Sequence, residues 1–297
     1  ILTHHPEADK LNAEAIHAQC NALVDSVFAR LEQIQDTPVQ IFPLFQQLSR
    51  SQQPRDAIWF PEFLEAYQHY KHHRKLLNRY RQLKPYLKGS SYCDIGCGGG
   101  DLVAFLGEYH PNFREVAGID VLDWRSDAVR DRIDFQVLDF TQPHTHSQKQ
   151  YDTLTCLAVL HHVGNTDEAM HVFLQNIKTA LCPGGHLIIE EDVILPTAEI
   201  QASEDYQAQI NVLQQAMLNE LLAFEAPIQR DAIILIDFLA NCLAVGVPEM
   251  AFPCGFRSIQ DWTQLLLKNG FQLIETNIRG FVEGNFNQSA HVHFIVS

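Results

Sequence analysis

The chain has no basic block. Lys and Arg number 21 against 36 Asp and Glu in 297 residues, a formal net charge of −15. Nucleic-acid binding rests on a concentrated positive face. The one basic cluster, KHHRKLLNRYRQLK at 71–84, reads as the polar side of a helix, so nucleic acid is not an expected partner. There is no run of 18 or more apolar residues, and no signal peptide is expected from the opening residues. The longest apolar stretch, AIILIDFLANCLAVGV at 232–247, is interrupted by Asp237 and Asn241, so no membrane partner is expected. No two cysteines form a C-x-x-C pair. The seven (20, 93, 97, 156, 182, 242 and 254) are scattered and odd in number. Reduced thiols in a cytoplasmic protein are the expectation, not a disulfide framework.

Apolar residues make up 46% of the chain, enough for a sizeable core. Residues 9–35 and 61–86 have apolar residues near helical spacing, joined by a Gln/Ser-rich stretch with prolines. They predict a helical N-terminal extension over 1–88. From residue 91 short apolar runs alternate with helical patterns. This βαβ texture predicts a mostly parallel sheet covered by helices, over 89–297. Asn165 followed by Glu168 reads as a cap, and Ser258 with Asp261 as a capping box. CPGG at 182–185 is expected to stop one helix and turn into the next strand, and Asn269-Gly270 to close another. FQLIETNI and AHVHFIVS read as a last strand pair near the sheet edge. Residues 196–255 break the alternation and predict a helical lid insertion.

The stretch YCDIGCGGGD at 92–101 follows a strand and opens a helix. Asp120 ends the next strand, where a ribose hydroxyl pair would find an acceptor. A dinucleotide would place two negative charges at this helix start. Asp94 and Asp101 flank the loop, and carboxylates there repel phosphate but attract a cation. S-adenosylmethionine, with a sulfonium, an ammonium and no phosphate, fits that polarity.

These residues resemble the first motif of class I S-adenosylmethionine-dependent methyltransferases. GIDVLD, FQVLDF, YDTLTCLAVLHHV and LCPGGHLIIEED resemble four further motifs of that family, in order. The resemblance covers about 90–297. It implies a Rossmann-like α/β fold with a seven-stranded sheet whose last strand is antiparallel. It also implies an approach of Asp94, Gly96 and Gly98 to the methionine end of the cofactor. Asp120 would hold the ribose, Asp139 and Phe140 would flank the adenine, and Leu157 would lie near the sulfonium.

For proton removal the ends of the fourth and fifth strands carry the candidates: His161, His162, Glu190, Glu191 and Asp192. Three readings stand. In the first, one His bonds the backbone and Glu190 and Glu191 lie on the surface. In the second, a His–carboxylate dyad acts as general base for O-methylation, with His161, His162 and Asp192 as the catalytic set. In the third, His162, Glu191 and Asp192 hold a divalent metal, Fe or Mn, that favours an enolate for C-methylation. The chain resembles, more loosely, methyltransferase domains of polyketide assembly lines, some of which are metal-dependent. It has Asp192 where those carry a His. Asp237 and Asn241 share a helix face and are candidate substrate contacts in the lid. Arg257 reads as a surface residue, with pairing to a substrate acid as the alternative, and His291 and His293, on one strand face, read as structural. The expected substrate is a small or acyl-carrier-tethered metabolite. With Ile at its start and a strand at its end, the chain is expected to be a domain beside others in a larger biosynthetic enzyme. The rival readings are a non-catalytic cofactor-binding module and an NAD-dependent oxidoreductase.

Overall fold

The computed structural model describes residues 75–143, 147, 149–194, 255–280 and 290–297. It also describes the separate positions 14, 18, 21, 22, 25, 29, 233, 234 and 237. The chain divides into two compact units, residues 1–78 with 234–252 and residues 79–233 with 253–297. In the first unit the described positions from 14 to 29 are helical.

The second unit is built on one sheet. Its strands are β1 (Ser91–Ile95), β2 (Glu115–Asp120), β3 (Asp134–Val137), β4 (Tyr151–Leu157), β5 (Leu181–Ile194), β6 (Arg257–Ser258), β7 (Leu273–Gly280) and β8 (Ala290–Val296). The order is β3-β2-β1-β4-β5-β8-β7, with the two-residue β6 added against β5. β1 to β5 pair in parallel, and β8 runs antiparallel to both β5 and β7. The order reverses at β1, and its switch point faces β4. Ligands of open α/β sheets bind beyond the strand ends at such a point.

The sequence explains the two layers. Cys93, Ile95, Leu154, Cys156, Leu187, Ile189 and Val193 alternate along their strands and are buried on one face. Helices α5 (Asp167–Ala180) and α6 (Ile259–Lys268) bring Met170, Phe173, Ile177, Trp262 and Leu265 against them. On the other face, α1 (Leu76–Leu83) supplies the buried Leu83, and α2 (Asp101–Tyr109) supplies Leu102 and Leu106; the short α3 (Asp127–Arg130) follows β2. Phe113 stacks on Tyr92, with ring centroids 5.2 Å apart.

Most predicted ends hold. The Ser258–Asp261 capping box is complete, and Asn269 caps α6 before Gly270 at φ 79°. One cap moves by a residue. Thr166, not Asn165, accepts the Ala169 N–H, because its extended backbone aims the hydroxyl into the first turn. CPGG is absorbed as a bulge. Residues 181 and 186 of β5 face 151 and 153 of β4, with Gly184 taking a positive φ of 75°.

The predicted boundary at 88 shifts to 78. The Lys88 N–H donates to Thr153 Oγ1 at 2.8 Å, Leu83 is buried and Arg79 pairs with Glu190. These contacts tie 79–88 to the sheet unit. Of the expected lid, 196–232, 235–236 and 238–254 lie outside the described residues, and with them Asn241. Asp237 occupies a half-buried helical position. Among the described residues no helix is long and apolar enough to cross a membrane.

Gly255 sits where two backbones meet. Its N–H donates to the His161 carbonyl at 3.0 Å, and a Cβ placed on it would overlap the Gly164 carbonyl. Gly255→Ala is therefore expected to destabilise the fold by about 2–4 kcal/mol, since backbone cannot yield as a side chain tip can. Thermal unfolding checks this, and an unchanged midpoint would refute the close approach.

Candidate active site

The glycine loop connects β1 to α2 as expected. Gly96, Gly98 and Gly100 all have positive φ, at 72°, 53° and 74°. At Gly96 a Cβ would press on Val159 at 2.5 Å, whereas at Gly98 nothing lies within 4 Å. The first glycine lets the β4 loop close in. The second leaves open space over the loop.

Two carboxylates border that space. Asp120 Oδ2 accepts the Gly98 N–H at 2.8 Å. Its Oδ1 accepts the Val121 N–H at 2.8 Å and Trp124 Nε1 at 3.2 Å. Burial outweighs these donors and raises its pKa above the ordinary value. Asp94, 5% exposed, takes the Thr155 hydroxyl at 2.6 Å. Burial chiefly raises its pKa to about 7, against lowering by Thr155 and Arg79. Trp124 went unread in the sequence, although it stands four residues after Asp120 in the same loop.

Beyond Asp120 the surface turns apolar. Val121 and Leu122 after β2, and Val137 at the end of β3, are exposed. Such a patch suits a flat heteroaromatic base. Acidic groups, open glycine backbone and an apolar shelf fit S-adenosylmethionine in polarity. They do not fit a pyrophosphate. Asp94, Gly96, Gly98 and Asp120 thus lie together around the loop, where the family resemblance leads one to expect the methionine and ribose ends of the cofactor. Leu157, half-buried at the end of β4, stands in register with Glu190.

Two expected adenine contacts are placed differently. Asp139 accepts the Thr141 N–H and hydroxyl on Oδ1, and Gln142 Nε2 on Oδ2. It thus holds its own turn. The Phe140 ring is 2% exposed and packs edge-on to Phe173 in the core. Phe140 is thus a core residue, and its carbonyl accepts Asn176 Nδ2 at 2.8 Å.

The carboxylates of β5 divide between the sheet faces, because successive strand residues point oppositely. Glu191, fully buried, faces α4 (Leu160–Val163). Its Oε2 lies 2.6 Å from His161 Nδ1, and its Oε1 accepts the N–H groups of Val159 at 3.0 Å and Leu160 at 2.7 Å. Ala158, the only non-glycine residue at positive φ among the described residues, turns the chain so that these N–H groups face Glu191. That conformation costs about 1–2 kcal/mol. The His161 ring lies 4.6 Å from Phe256, nearly parallel, and 4.1 Å from the half-buried His162.

Glu190 points the other way, to Arg79 Nη2 and to His293 Nε2, each at 2.6 Å. Asp192 lies on that same face and is buried. Glu190 and Glu191 are thus interior residues, which corrects the surface reading. His293 is structural as expected. The His291 backbone pairs with Asp192, and its side chain lies outside the described residues. Arg257 donates to Asp167 at 2.9 Å and lies over Trp262.

The metal set His162, Glu191 and Asp192 is not brought together as one ligand cluster among the described residues. Glu191 is spent on His161 and two N–H groups and faces away from Asp192.

Residues 63–276 match the family model of a methyltransferase domain. The ubiquinone biosynthesis O-methyltransferase of Azoarcus sp. (strain BH72) is 29% identical over 106 residues, which is 33% of this chain and 42% of that protein. The match thus spans less than half the length of that curated relative. Among solved structures, human N-acetylserotonin methyltransferase in complex with S-adenosylmethionine is 16% identical. It is matched over 96% of this chain and 67% of that one, with a TM-score of 0.45. The N-methyltransferase NodS of Bradyrhizobium japonicum WM9, in complex with S-adenosyl-L-homocysteine, is 14% identical over 86% and 96% of the two chains, with a TM-score of 0.43. The family match spans well over half of the chain, and the strand order and acid-bordered glycine loop accord with it: the chain belongs to the methyltransferase-domain family, as a class I S-adenosylmethionine-dependent methyltransferase.

Proposed function

We propose that the chain methylates a hydroxyl group on a small or acyl-carrier-tethered metabolite, with His161 as general base. The observation that carries this reading is the 2.6 Å contact between His161 Nδ1 and Glu191 Oε2, both buried. A carboxylate there accepts the Nδ1–H and so leaves the lone pair on Nε2. S-adenosylmethionine, when bound, supplies an electrophilic methyl group on a sulfonium. His161 Nε2 takes the hydroxyl proton as the oxygen gains its methyl bond. Glu191 stabilises the imidazolium that results. His161 is only 1% exposed, so the substrate must shift the flanking His162 or Phe256 ring to reach Nε2. This keeps the step dry. The O-methyltransferase relative accords with a hydroxyl acceptor. A polyketide setting and neighbouring domains belong to the same proposal.

The test uses chelator-dialysed protein and a panel of phenols and hydroxyacyl-carrier thioesters, reading S-adenosylhomocysteine formation. Activity should survive metal removal. His161→Ala should lower kcat by about 10²–10⁴, with a rate that then rises with hydroxide concentration. Full activity in His161→Ala, with the native pH profile, would sink the proposal. Activity lost on dialysis and restored by Fe or Mn would return it to the metal reading.

A further inference from the structure

Thr155 lies in β4, within the fourth-strand motif. In the structure it stands at the centre of a buried hydroxyl chain. Asp94 pairs with Thr155 in register across β1 and β4, and Tyr92 lies two residues earlier on the same face. Thr155 Oγ1 donates to Asp94 Oδ1 at 2.6 Å, and Tyr92 Oη lies 2.6 Å from the same Oγ1. A hydroxyl has one proton to give. With that proton committed to Asp94, Tyr92 must be the donor to Thr155. The chain of donors therefore runs Tyr92, Thr155, Asp94, and ends on the carboxyl bordering the glycine loop. Tyr92 and Thr155 are fully buried, so no water substitutes for either hydroxyl.

We propose that Thr155 is a positioning residue that holds Asp94 as an oriented carboxylate for the ammonium group of the cofactor. This rests on the assignment of Asp94 to the methionine end. Asp94 receives the Thr155 hydroxyl, and its burial disfavours charge, so this donor helps decide how readily it ionises. The other charged groups bearing on it are Arg79 from α1, Asp120 from β2 and Glu190 from β5. Glu190 is itself engaged by Arg79 and His293. Cys93, Cys97 and Tyr92 have pKa values raised by burial, so they stay protonated near neutrality. Arg79 and Thr155 thus supply the two influences that favour the charged form, and only Thr155 also fixes its direction.

The experiment titrates S-adenosylhomocysteine calorimetrically into native protein, Thr155→Val, Thr155→Ser and Asp94→Asn at pH 6, 7 and 8.5. Loss of a donor to a carboxylate should move its midpoint up by about one pH unit. Thr155→Val should then bind about tenfold more weakly at pH 6, about fivefold at pH 7 and within about twofold at pH 8.5. Thr155→Ser should follow the native protein. The ligand's own amine titrates alike in every variant and cancels in the ratios. Thr155→Ala makes the same comparison if valine disturbs folding. Equal affinity at every pH, or a uniform pH-independent loss, would overturn the assignment while a weakened Asp94→Asn left the Asp94 site standing. Native affinity in Asp94→Asn would overturn both.

Discussion

Glu191→Gln should lower kcat by about three to four orders of magnitude while the protein stays folded. The argument is one of donors and acceptors. In the native chain Glu191 Oε1 accepts two backbone N–H groups, from Val159 and Leu160, and Oε2 faces His161 Nδ1. A glutamine has the same shape but one accepting oxygen. Turned to accept the two N–H groups, it presents its amide N–H to His161. Nδ1 must then be the acceptor, and the ring proton moves to Nε2, where the lone pair is needed. The opposite rotamer would set the amide against two N–H groups in a fully buried site, at about 1–3 kcal/mol for each donor left unmatched. The first arrangement wins, and it keeps the turn after β4 intact. Serine-protease triads, where an Asp→Asn change inverts the imidazole tautomer and costs about 10⁴, give the scale. The readouts are kcat on the best substrate of the panel, cofactor affinity and thermal midpoint. A kcat within tenfold of native, with midpoint and cofactor binding unchanged, would mean that His161 takes no proton.

Much of this site could be read along the chain, because its parts are local. The glycine loop, Asp120 and the capping box of α6 each follow from residues within a few positions of one another. The strand order follows from the family motifs. What could not be read were pairings across long separations. Nothing in LHHV says which histidine meets a carboxylate. That is decided by the left-handed turn at Ala158 and by Phe256, nearly a hundred residues on. The division of Glu190 from Glu191 is legible in principle, since successive strand residues point to opposite faces, so three consecutive acidic residues cannot form one edge. Arg79 lies 111 residues from its partner Glu190, so the boundary at 88 could not anticipate that ion pair. Phe140 misled because a hydrophobic residue after an acidic strand end can face the ligand or the core with the same local pattern.

Asp94→Asn should make the cofactor-free protein more stable and a poorer binder together. Burial raises the folded-state pKa of Asp94 from the usual 3.8 to about 7. Below pH 4 the carboxyl keeps its proton in the folded and unfolded chains, and the shift has no effect on stability. Between pH 4 and 7 the unfolded chain ionises while the folded chain does not. The folded state loses ground by about 1.4 kcal/mol per pH unit. Above pH 7 both forms are ionised and the loss is complete, on the order of 4 kcal/mol at pH 8. Asparagine carries no charge at any pH and can still accept the Thr155 hydroxyl. The variant should therefore melt several degrees higher at pH 8, and the gain should shrink toward pH 5. Its affinity for S-adenosylhomocysteine should fall at least tenfold, because the amide offers no charge to an ammonium group. The two effects have one cause. On the proposed assignment, the native chain keeps an unfavourable buried charge because the cofactor's ammonium group neutralises it. An equal or lower melting point at pH 8, together with native affinity, would show that Asp94 is neither strained nor part of the cofactor site.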